Sequence, residues 1–137
     1  MMKRLLAILA SVLALACQSQ SGPEIGRPKD WPTPDAAARA CLERPEARAY
    51  LKSASDRVLA KWQLPEGTKA DHRVVLGFVL NEQGRPVRVA VFEASDPDLA
   101  RSAMRAFDAA APFPIPPGAE CVAGVPIAGT FRNPALP

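Results

Sequence analysis

Histidine is almost missing from this chain: His72 is the single copy in 137 residues. A nucleophile–histidine–carboxylate triad needs a nucleophile delivered to the imidazole by the fold, and no nucleophile motif occurs. A metal site needs three or four ligands at workable spacing, and His72 with scattered carboxylates does not supply them. No glycine-rich phosphate loop is present either, so no cofactor is expected. His72 reads as a solvated residue at the start of a strand. Asp96 and Asp98 read as helix-capping residues rather than an acid–base pair, and Arg101 with Arg105 as a solvated helix face. Aromatic residues are also scarce, at 6% of the chain, which argues against a base-stacking platform. The formal charge of +3 is inflated by Lys3 and Arg4; without them 15 basic residues face 14 acidic ones. That balance gives no footprint for nucleic acid. An enzyme is not expected.

Long hydrophobic runs are lacking too. Residues 5–16 are uncharged and apolar behind the basic pair Lys3-Arg4, but they are too few to span a bilayer comfortably. They end in Leu13-Ala14-Leu15-Ala16-Cys17, small residues before a cysteine, similar to the lipobox of bacterial lipoproteins. Residues 1–16 are therefore expected to be a signal peptide, with Cys17 lipidated as the new N-terminus. The alternative is ordinary cleavage after Ala16 with a free Cys17. A lipidated terminus anchors a protein to a membrane without crossing it, and Gln18 in place of Asp leans toward the outer membrane.

Cysteine is rare as well, with three copies. If Cys17 carries lipid, Cys41 and Cys121 remain as an even pair in an oxidising compartment, and a disulfide between them is expected rather than two buried thiols. Closing so long a loop stabilises by about 4 kcal/mol in the chain-entropy account.

Proline and β-branched residues organise the rest. Residues 17–34 hold Pro23, Pro28, Pro32 and Pro34 among small and charged residues without apolar periodicity. They read as a tether that spans about 50 Å if extended at ~3.1 Å per residue. Trp31 is its one large apolar residue and either docks on the domain or stays loose. Residues 35–137 form one domain. Asp35 caps a short helix that Pro45 ends, and Tyr50, Ala54, Val58 and Trp62 repeat every four residues on the next. Residues 72–93 form a hairpin. Val74, Leu76, Phe78 and Leu80 alternate with Val75, Gly77 and Val79, apolar on both faces, as in a central strand. Val87, Val89 and Val91 alternate with Arg88, Ala90 and Phe92, and Gly84 closes the turn at positive φ. Asp96-Pro97-Asp98 opens an alanine-rich helix, residues 112–117 are a rigid proline-rich crossing, and residues 125–131 are a last strand. The fold class is α+β. Its order is helix, strand, strand, helix, strand, with a three-stranded sheet packed against helices. The first strand is central, antiparallel to the last, and Pro126 marks that last strand as an edge.

Together these residues resemble the C-terminal domain shared by TonB and TolA. The likeness runs from Tyr50 through Trp62-Gln63-Leu64-Pro65, the hairpin up to Ser95, the alanine-rich helix, Phe113-Pro114-Ile115-Pro116 and a closing strand ending in Phe131. It departs at Asp96-Pro97, where the family often has Ser-Gly, and in the leader, where a lipobox replaces a motor-coupled transmembrane helix. The resemblance implies an envelope protein-interaction module, related to TonB-type transport in its domain but not in its energy coupling. It also implies that an extended segment of a partner adds as a strand beside the last one. Val125, Ile127, Thr130 and Phe131 would be the contacts, with Ile127 equally readable as core. The alternative is a structural envelope lipoprotein whose domain self-associates, as in a homodimer.

Overall fold

The computed structural model of the chain describes residues 23–134. The expected signal peptide, Cys17 and the first residues of the expected tether lie outside the described residues. Two helices come first, α1 (Ala36–Glu43) and α2 (Pro45–Lys61), followed by β1 (Arg73–Leu80), β2 (Pro86–Ala94), α3 (Pro97–Ala110) and β3 (Ile127–Arg132), with a short 3-10 turn at Glu120–Val122. The sheet order is β2-β1-β3, and β1 runs antiparallel to both neighbours, as the hydrophobicity of β1 implies.

Local chemistry accounts for the helix boundaries. Asp35 accepts the Ala38 N–H at 2.8 Å, and Asp96 accepts the Leu99 N–H at 2.8 Å. Both satisfy donors that a helix start leaves open. Arg44 is extended between α1 and α2, and Pro45 begins α2 where its missing N–H does no harm. In the hairpin turn the Asn81 side chain accepts from the Gln83 and Arg85 amides at 3.0 and 2.9 Å. Gly84 stands at φ 72°.

One face of the sheet carries the core. Val74, Leu76, Phe78 and Leu80 are buried against Val58 of α2 and Leu99, Ala103 and Phe107 of α3. Tyr50 of α2 and Trp62, the residue just after that helix, enter this core with their polar atoms satisfied. The Tyr50 hydroxyl donates to the Phe113 carbonyl. Trp62 Nε1 donates to Ser102 Oγ at 2.8 Å, and that hydroxyl donates to the Leu99 carbonyl at 2.8 Å. Phe113 in turn donates its amide to the Gly84 carbonyl at 2.8 Å. A Cβ on Gly84 would fall 1.8 Å from the Phe113 carbonyl oxygen. Glycine is thus required there twice, for φ and for the approach of the proline-rich crossing. Cys41 and Cys121 form the expected disulfide, with Cα atoms 5.9 Å apart, tying α1 to the 3-10 turn before β3.

Two expectations need revision. The alternation in β2 is broken by two register shifts against β1, which leave Phe92 and Val87 as extra residues. Such bulges re-aim side chains: Val87 is turned out to 62% exposure instead of sharing a face with Val89 and Val91. The last strand begins at Ile127, not 125. Gly124 and Val125 donate their amides to Leu80 and Val122, and Pro126 has none to give. Of the two courses open to Trp31, the structure shows the docked one, as described next.

Candidate functional site

Three-stranded sheets have two edges, and here they differ. β3 forms one edge. Its burial alternates, with Ile127 at 6% exposure and Phe131 at 3% turned to the helices, while Ala128, Thr130 and Arg132 are exposed. Period-two geometry demands this once one face of the sheet holds the core. Val125, just before the strand, is buried as well. Of the four residues expected to touch a partner, then, Thr130 is the exposed one. Val125, Ile127 and Phe131 place their side chains in the core and hold the strand in position. The same alternation was visible in residues 127–131 and was the available signal for this outcome. What β3 offers outward is main chain: among the described residues, no strand pairs with its outer edge.

β2 forms the other edge, and the chain's own N-terminal segment lies on it. Ile25 bridges Val91 in parallel register, and the Gly26 amide donates to the Val91 carbonyl at 2.8 Å. The segment then passes onto the sheet face opposite the helices. There Gly77 leaves a hollow, since a Cβ on it would sit 2.1 Å from the Phe92 ring. Phe92 fills that space and is 8% exposed. Trp31 meets Phe92 edge-on at 5.1 Å between centroids. The Arg27 guanidinium stands 4.7 Å over the Phe92 ring, and that of Arg88 4.7 Å over Trp31. Arg88 also donates to the Asp30 carboxylate at 2.8 Å. Docking of Trp31 was one of its two open courses, whereas nothing in the composition marked Asp30; a glycine inside a central strand signals close approach by another group.

Between α2 and the proline-rich crossing lies a shallow groove of about 390 Å³, lined by Tyr50, Ala54, Arg57, Phe113 and Pro114 among others. Burial pushes the Tyr50 pKa above the ordinary 10.0, opposed by the nearby Arg57 charge. The hydroxyl is a neutral donor fixed on the Phe113 carbonyl, which is a structural role. His72 accepts the Lys69 amide at 3.3 Å through Nδ1 and lies 3.8 Å from Asp96, whose other oxygen caps α3. This arrangement closes the turn before β1 and supplies no nucleophile.

No family model matches the chain. No curated protein sequence matches it. Among solved structures, the solution structure of the Helicobacter pylori TonB C-terminal domain superposes with a TM-score of 0.50 at 18% identity, over 61% of this chain and 91% of that one. The C-terminal domain of HasB aligns at 22% identity over 84% of this chain and 91% of that one, with a TM-score of 0.43. The fold is that of a TonB C-terminal domain.

Proposed function

We propose that this chain is a lipid-anchored interaction module of the cell envelope that holds an extended segment of a partner protein against the outer edge of β3. In this reading residues 1–16 direct export, Cys17 carries the lipid, and the domain begins at residue 35 with a docked segment before it. The anchor sits in the outer rather than the inner membrane. The observation that carries the reading is the asymmetry of the sheet: among the described residues no strand pairs with the outer edge of β3, while β2 is met at Val91 by Ile25. Unpaired N–H and C=O groups along an edge supply affinity to any extended chain, and the exposed side chains beside them supply selectivity. On β3 those side chains are Ala128, Thr130 and Arg132. Arg132 adds a positive charge at the end of the strand, which favours a partner segment with an acidic residue there. The likeness in fold to the TonB domain supports a binding role over a catalytic one.

In-cell photo-crosslinking from Thr130, with Gln83 in the hairpin turn as control, tests this. A distinct envelope protein captured through an extended segment from Thr130 alone supports it and identifies the partner. Self-adducts alone favour a scaffold whose β3 edges pair with one another. Equal capture from Thr130 and Gln83, or from neither, overturns edge binding.

A further inference from the structure

The covered edge of β2 carries a second inference. A free β2 edge would offer the Val91 carbonyl to any incoming strand, as β3 offers its own groups. Here the Gly26 amide already takes that carbonyl, and Ile25 sits in the bridge position a partner residue would occupy. The segment behaves as an intramolecular strand ligand, though a short one, with one bridge rather than a ladder. The rest of its hold comes from the face of the sheet. Trp31, Arg27, Asp30, Phe92 and Arg88 form a chain of ring and charge contacts in which none is deeply buried except Phe92. Contacts of that kind are individually weak and are screened by salt where they rest on exposed charge. A segment held by several such contacts opens far more readily than the core beneath it. Core strands do not release at such low cost, so the segment is the separable part of this fold.

We propose that residues 25–31 are a latch on β2. Docked, they occupy the β2 edge at Val91, so that strand addition is confined to β3, and they hold part of the linker to the anchor against the sheet. Released, they open the β2 edge at Val91 and lengthen the linker. The change in reach rests on lipidation of Cys17, as proposed above. With the latch docked, the seven residues 18–24 lie between Cys17 and the sheet; released, the seventeen residues 18–34 do, so the reach grows by the length of residues 25–34, about 31 Å if extended at ~3.1 Å per residue. Closure of the β2 edge rests on no such reading.

The test uses the mature chain in detergent micelles, with amide exchange followed by NMR in the wild type and in Arg88→Ala. The Gly26 amide should be protected in the wild type, and Arg88→Ala should speed its exchange by ~10-fold or more. The Phe113 amide, bonded to the Gly84 carbonyl, should be unchanged and reports that the domain is folded. Trypsin should also cleave the Lys29–Asp30 bond faster in the variant. Exchange of Gly26 at the rate of a free peptide in the wild type overturns the latch, as does an Arg88→Ala variant with unaltered Gly26 protection. A second arm places a dye at Gln83 and acceptor lipids in vesicles holding the anchored protein. Energy transfer should fall in Arg88→Ala relative to wild type. If exchange responds and energy transfer does not, the edge is latched and the lengthened reach is wrong. If the protein fails to stay on vesicles at all, the anchor reading fails and the exchange result stands by itself.

Discussion

β2 and β3 flank the same central strand, yet one is met at Val91 by its own chain and the other, among the described residues, pairs with no strand on its outer side. The contrast comes from what lies on each face. β3 is held from beneath by two buried side chains, Ile127 and Phe131, and needs nothing above it. β2 carries Phe92 on the far face, an apolar ring that would otherwise meet water, and residues 25–31 cover it. An exposed edge is an aggregation hazard that proteins normally blunt. Among the described residues the outer edge of β3 is the one that nothing meets, which is why the binding proposed above is placed there.

The largest loss is expected on the β3 side. Phe131→Ala removes a ring that is 3% exposed and should cost about 3–5 kcal/mol, as buried Phe-to-Ala changes do. Urea unfolding should register that loss, and strand addition should weaken because the edge is no longer held. Gly77→Ala attacks the other side. Its Cβ would enter the Phe92 ring, so the ring must shift, at about 1–3 kcal/mol. Chemical shifts of residues 25–31 should move with it, while those of β3's outer residues stay. If β3 responds more than the segment, the two edges are not independent. Trp31→Ala should cost about 1–2 kcal/mol through its ring and guanidinium contacts, leaving crosslinking from Thr130 intact.

Tyr50 offers a lesion that belongs to neither edge. Tyr50→Phe deletes its bond to the Phe113 carbonyl and should cost about 1 kcal/mol at neutral pH. Because the folded pKa is raised above 10.0, the fold favours the protonated hydroxyl. That contribution is complete below pH 10 and is lost as pH rises through the folded value. The wild type should therefore lose stability above pH 10 more steeply than Tyr50→Phe, as followed by thermal melts across that range.

Much of the frame was legible because its causes are local. The turn chemistry of Asn81 and Gly84, the caps Asp35 and Asp96, and the two-sided apolarity of β1 each act within a few residues. The centrality of β1 followed from them, as did the antiparallel course of β3. The covered edge was not legible, because its energy lies between residues far apart in the chain. Asp30 and Arg88 are 58 positions apart, and nothing in a proline-rich stretch marks Asp30 as a partner. The side chains of β3 divide for a different reason: strand alternation puts Ile127 and Phe131 on the core side, the reading Ile127 already allowed, and leaves Thr130 outside. Gly84 was read as a turn residue and is also the floor on which Phe113 rests.

The cross-link between α1 and the turn before β3 has a mechanical side. For a domain anchored at its N-terminus and gripped along β3, tension enters at one end and leaves at the other. The shortest covalent route between them runs through α1, crosses at Cys41–Cys121, and continues along residues 121–127 into β3. α2, the hairpin and α3 all lie in the stretch that this route skips. While residues 25–31 are docked, a pull reaches β2 through them first; once they have left it, the covalent line bears the load, and those elements ride beside it unloaded.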